Sequence, residues 1–208
     1  MDPMVVPKGL LLGFSIAAPV GPIGVLTIKR TLADGFRMGI ATGLGAATAD
    51  ASYGLVAAFG LTAITSTLVS NAGAIRLIGG LMLLAIGLKG ILHSRRAGSV
   101  AETGQTQSAT SLGAYVQTVG LTLTNPMTII SFIGMFAGLG ITGGQDDFAS
   151  AIGLVVGIGL GSAAWWFLLC GTTARLRSRL PSSAISAINL GSSLIITGFG
   201  VAALLAAR

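Results

Sequence analysis

Six apolar runs, near residues 9–28, 39–63, 74–93, 112–139, 148–171 and 184–206, fill most of the 208-residue chain. About 30 Å of hydrocarbon takes about 20 helical residues to cross, so each run is long enough to span a bilayer. An open sheet would leave backbone groups unpaired in lipid, and the runs are too long and continuous for barrel strands. Helices are therefore predicted. Hydrophobic residues make up 52% of the chain, charged residues 9%, and the mean hydropathy is +0.88. Soluble domains carry about 25% charged residues. This chain has too little charge to coat a water-facing surface, so its solvent is largely lipid. The expected fold class is an all-α integral membrane protein with six transmembrane helices, one transmembrane domain over residues 1–208.

The net charge of +6 and pI near 10.5 do not point to nucleic acid. The bases sit in short clusters between apolar runs, with no interleaved basic and aromatic surface. Loops after runs one, three and five hold Lys29, Arg30, Arg37, Lys89, Arg95, Arg96, Arg175, Arg177 and Arg179. The opposite side holds only Lys8, Arg76 and Arg208, with the acids Asp146 and Asp147. Nine bases against three orient the chain with both termini outside. The first run also has its charges behind it, the reverse of a signal peptide, and is read as a retained helix. Arg76 and Lys89, near helix ends, are expected to snorkel to the interface.

Residues 97–111, AGSVAETGQTQSATS, form the one linker-like segment and are read as a flexible cytoplasmic loop near the midpoint. The halves it separates, 1–96 and 112–208, share features. Ala18-Pro19 interrupts the first run as Asn125-Pro126 interrupts the fourth. Gly43-Leu44-Gly45 recurs as Gly159-Leu160-Gly161, and the pair Gly80 and Gly87 as Gly191 and Gly198. With three helices in each half, the second half must enter the membrane from the opposite side, giving two inverted repeats. Chance resemblance among 32 glycines is the competing explanation, and the paired prolines favour the repeat. The small-residue strings, including Gly39, Gly43, Gly157 and Gly161, are read as surfaces for close helix approach.

The candidate binding residues lie at the two breaks: Pro19, Gly21 and Pro22 in the first, Thr124, Asn125 and Pro126 in the second. Pro19 cannot donate to the Ser15 carbonyl, nor Pro22 to that of Ala18, nor Pro126 to that of Thr122. Such backbone is tolerated at membrane depth only where it faces protein or a water-filled cavity. Freed N–H groups suit a carboxylate; freed carbonyls suit an ammonium or cation. A single Pro would read as a packing kink, but paired interruptions point to a midplane transport site.

Asp50 is the one acid well inside a predicted span. It reads as a proton-coupling group or an anchor for an ammonium, or else as a neutral acid hydrogen-bonded to a neighbouring helix. Tyr53, three residues on, shares its face and is placed to hydrogen-bond it. Trp166 aligns with Asp50 in the repeat and is a candidate for the cavity wall. The lone Cys170 and lone His93 allow no intrachain disulfide and no metal cage of standard spacing. No cofactor is implied. Neither a continuous polar pore nor a catalytic constellation is present, which sets aside a channel and an intramembrane enzyme.

The string Pro19-Val20-Gly21-Pro22-Ile23-Gly24-Val25-Leu26-Thr27-Ile28-Lys29-Arg30, followed by Gly35, resembles the signature of the LysE/RhtB family of bacterial amino-acid exporters. Asp50 in the second helix is similar to that of the LysE branch, and Asn125-Pro126 matches the start of the family's Asn-Pro-Lys motif. The resemblance runs over essentially the whole chain. It implies an exporter in the bacterial cytoplasmic membrane that moves amino acids or related small solutes outward by proton antiport. Its partners would be a small-molecule substrate, protons and lipid; a homo-oligomer is compatible with the sequence. Met127 stands where the family often has Lys, so the cargo stays open, and an exporter of an inorganic or other small cation is the alternative.

Overall fold

The structure is a computed structural model and describes residues 4–19, 21–58, 70–97, 110–125, 128–129, 131–132 and 148–207. The described residues are all-helical, with seven helices and no strand: α1 (Val5–Ala17), α2 (Pro22–Asp34), α3 (Phe36–Ala58), α4 (Ala72–Ala97), α5 (Ser111–Leu123), α6 (Phe148–Arg177) and α7 (Ser182–Leu205). By length and composition α6, α7 and the Gly73–Leu92 part of α4 qualify as spans, and α1 with α2 as one more, bent by 80° at its break. Together with a surface carrying Leu11, Leu112 and Phe148 about 70% exposed, each on a different helix, this is a membrane protein.

The predicted first run is thus two helices, and the second follows the first break almost without a loop. Lys29 and Arg30, expected in a loop, lie inside α2 and are half-buried, while Arg37 lies in the first turn of α3. The reason is local. Pro22 occupies the first helical position of α2, where its missing N–H costs nothing. That start carries the helix on to Asp34. Gly35 then turns the chain with φ of 91°, a conformation glycine adopts without steric cost, and α3 begins at once.

Packing follows the glycines. Without a hydrophobic force between helices in lipid, small residues that admit close backbone approach carry the association. On α1, a Cβ at Gly13 would lie 2.0 Å from the Ile158 carbonyl oxygen, and one at Gly161 on α6 would lie 2.0 Å from that of Leu10. On α3, a Cβ at Gly43 would meet Trp166 at 2.5 Å and one at Gly45 the Tyr115 carbonyl oxygen at 2.5 Å. So α1 packs on α6, and α3 lies between α6 and α5. α4 packs on α7, where Gly87 faces Ser193 and Thr197 and Gly80 faces Gly200 and Leu204. Gly191 and Gly198, matched to Gly80 and Gly87 by spacing, meet nothing within 4 Å; the α7 glycine that packs is Gly200. Spacing alone does not say which side of a helix a glycine occupies.

Two buried threonines of α2 satisfy their hydroxyls within their own helix, Thr27 on the Ile23 carbonyl and Thr31 on that of Thr27, each at 2.8 Å. Arg76 donates from Nη1 to the Ala206 carbonyl at 2.9 Å, just past the C-terminal end of α7, where a cation meets the negative end of the helix dipole.

Candidate functional site

α3 contributes Ala46 and Ala47 to one buried apolar cluster and Tyr53 and Ala58 to another. Asp50 lies between them along the helix, and a cavity of about 60 Å³ opens beside it, room for a few waters or a small polar head group. Pro19 and Gly21 of the first break and Asn125 of the second line this cavity together with Asp50. Residues more than a hundred positions apart in the chain, singled out from sequence for the same reason, meet at one place.

At the first break, α1 makes its last rung from Ala18 N–H to the Phe14 carbonyl, and Gly21 N–H donates to the Pro19 carbonyl at 2.9 Å. The first rung of α2 is Val25 N–H to the Gly21 carbonyl. Ile23 and Gly24, whose N–H groups precede that rung, both line the cavity. No side chain caps this helix start, so its partial positive charge is directed at whatever the cavity holds. Pro22 is buried at the helix start and takes no part in the cavity wall.

At the second break, Asn125 N–H donates to the Thr122 carbonyl at 3.1 Å, and the Asn125 carbonyl receives Thr128 and Ile129. Thr122 and Thr128 join Asn125 in the wall. Thr124 does not: its hydroxyl folds back on the Gly120 carbonyl at 2.8 Å, and the residue abuts Gly79 of α4. Pro126 and Met127 lie outside the described residues.

Asp50 is 3% exposed. Its Oδ2 accepts from Ser162 Oγ at 2.6 Å, and Ser162 Oγ accepts from Trp166 Nε1 at 3.1 Å. Trp166 also walls the cavity, so a polar chain runs from its indole to the acid. Tyr53 is not part of it. Its hydroxyl donates to the Leu123 carbonyl at 2.7 Å, and its ring lies 5.3 Å from that of Phe132. The Leu123 carbonyl lies at the last residue of α5, and the phenol serves it rather than the acid. Ser162 escaped the sequence reading because it stands in a string of small residues that looked like packing surface, and nothing in the sequence sets it opposite the acid. Thr122 also escaped. It is 3% exposed, and its Oγ1 is buried without a hydrogen-bond partner.

The chain is similar to two bacterial proteins, one of them over most of its length. It is 27% identical over 198 residues, 91% of each chain, to the "Putative amino acid efflux protein YcgF" of Bacillus subtilis (strain 168). It is also 31% identical over 115 residues, 54% of this chain and 50% of the other, to the "Uncharacterized membrane protein YahN" of Escherichia coli (strain K12). No solved structure matches it. The family model for LysE type translocators matches residues 14–207, which takes in both breaks and every residue that lines the cavity. The chain belongs to the LysE type translocator family and is a membrane transporter, not an enzyme.

Proposed function

We propose that this translocator is a secondary exporter of amino acids or closely related solutes in the bacterial cytoplasmic membrane, driven by proton antiport. The observation that carries the reading is the meeting of both breaks with Asp50 at one cavity. A zwitterion has a carboxylate and an ammonium, and the cavity offers complementary ends: the uncapped start of α2 for the anion, Asp50 for the cation. The substrate-binding groups are Pro19, Gly21 and Pro22 with Thr124, Asn125 and Pro126; Pro19, Gly21 and Asn125 act from the cavity wall and the others by shaping the breaks. Asp50 exchanges substrate for a proton. Tyr53 holds the end of α5 beside it.

The single domain is built from two inverted halves. Two contacts favour this: that of Gly87 with Ser193 and that of Gly80 with Gly200 exchange places under one common shift along the chain. Packing of α1 on α6 answers packing of α5 on α3 helix for helix. Both termini lie outside, and the basic helix ends face the cytoplasm. The name of the Bacillus relative, "Putative amino acid efflux protein YcgF", agrees with this cargo.

The test is efflux from proteoliposomes loaded with radiolabelled amino acids under an imposed pH gradient. The wild-type protein exports at least one of them faster than protein-free liposomes, and Asp50→Asn slows this by about tenfold or more, the cost of one charge-assisted contact. Undiminished gradient-driven export by Asp50→Asn would remove the acid from coupling.

A further inference from the structure

Arg30 occupies a position that binding at the cavity does not explain. It is half-buried on α2, six residues beyond the cavity residue Gly24. Its Nη1 donates to Thr42 Oγ1 of α3 at 3.0 Å and, on α5, to Thr118 Oγ1 at 3.3 Å and the Ala114 carbonyl at 3.4 Å. Its Nη2 donates to Gln117 Oε1. One guanidinium thus ties three helices together. Asp34, four residues on, interacts with it electrostatically. Its neighbour Lys29 reaches the other way, from Nζ to Ser193 Oγ of α7 at 2.8 Å.

The register places this knot directly beneath the cavity. Thr42 is one helical turn from Ala46, and Thr118 is one turn from Thr122; Ala46 and Thr122 both line the cavity. The seam between α2, α3 and α5 therefore leads from the cavity to Arg30, then to Gln117 and Ala114 near the start of α5. That end of the bundle is the basic one, where Arg177 also donates to the Ala33 carbonyl at 3.2 Å. At the cavity end of the seam stands Thr122, its buried hydroxyl without a partner among the described residues. An unmade hydrogen bond in a buried position is costly, and a polar solute passing there would make it.

We propose that this seam is the path between the cavity and the basic face, and that Arg30 is its gate. With the guanidinium on Thr42, Thr118 and Gln117 the path is shut. When it lets go of α5, α2 stays anchored to α7 through Lys29, and the cavity opens toward the basic face. The inference rests on the transport reading and adds the route and the residue that closes it. Arg30 acts by positioning helices.

The experiment reads access rather than transport. In a Cys170→Ser background, Ala46→Cys places a thiol in the cavity wall, and a membrane-impermeant maleimide is applied to inside-out and to right-side-out vesicles. With Arg30 in place, labelling from the inside is slow. Arg30→Ala raises the inside rate by about tenfold, the shift expected on losing a charge-assisted hydrogen-bond set, and leaves the outside rate unchanged. Arg30→Lys lies between. Should Arg30→Ala not yield a monodisperse protein, the double variant Gln117→Ala, Thr118→Val removes the α5 acceptors and raises the inside rate likewise. No rise from the inside, or an equal rise from both faces, overturns the gate. If labelling shifts as expected but no amino acid is exported by wild-type protein, the gate stands and the proposed cargo falls.

Discussion

At the scale of residues, the acid at the centre of the bundle is stabilised by one hydroxyl. Ser162 spends its single proton on Asp50 and accepts from Trp166. Removing the serine leaves a buried carboxyl short of a donor and a buried indole N–H short of an acceptor; each such loss costs about 1–3 kcal/mol. Ser162→Ala is therefore expected to lower the melting temperature in detergent clearly, and Trp166→Phe to lower it less, because the serine can still donate to the acid. Equal melting temperatures for Ser162→Ala and wild type would mean the acid has another donor. Asp50 was legible in the sequence because a lone acid in a span always needs an explanation. Its partner was not, since a serine among glycines and alanines carries no charge to account for. Arg30 was misread for the opposite reason: a base near a span end counts as a topology marker, and only the continuation of α2 past Pro22 shows it reaching inward.

At the scale of elements, two devices set the architecture, and both can be tested by substitutions that differ only in position. Backbone contact along the α1–α6 seam leaves no room at Gly161, where a Cβ would sit 2.0 Å from a carbonyl oxygen. Gly161→Val is expected to abolish a monodisperse folded peak on size exclusion. Gly198, with nothing within 4 Å, is expected to accept Ala and gain about 0.5–1 kcal/mol from the better helix former; a lower melting temperature for Gly198→Ala would show that this face is covered. The Pro break is the second device. Pro19→Ala restores an N–H able to reach the Ser15 carbonyl and removes a cause of the bend. The expected outcome is a folded protein whose export falls by about tenfold, the scale of a binding geometry lost. Unchanged export would reduce the first break to a packing kink. The breaks were visible because Pro leaves an unambiguous mark on backbone bonding. The angle between α1 and α2 was not visible, because it depends on where α2 is gripped by Lys29 and Arg30, contacts made to residues more than eighty positions away on α5 and α7.

At the scale of the whole molecule, the apolar exterior and the distribution of bases must give one orientation. Exposed large side chains lie on α1, α3, α4, α5, α6 and α7, where lipid takes the place of water. The charges gather at one end: Arg175 and Arg177 close α6, Arg177 reaches the end of α2, and Arg30 lies just within the same end. Positive charge is retained in the cytoplasm during insertion, so this end is expected inside. The gate and the topology therefore stand on the same charges, and a topology measurement bears on both. Alkaline phosphatase fused after Ala207 is expected to be active, and the same enzyme inserted between residues 97 and 111 inactive. The reverse pattern would put Arg30 on the outer side of the cavity. A guanidinium there could shut only an outer path, so a maleimide rate that rises from the outside alone when it is removed would overturn Arg30 as the gate to the cytoplasmic face.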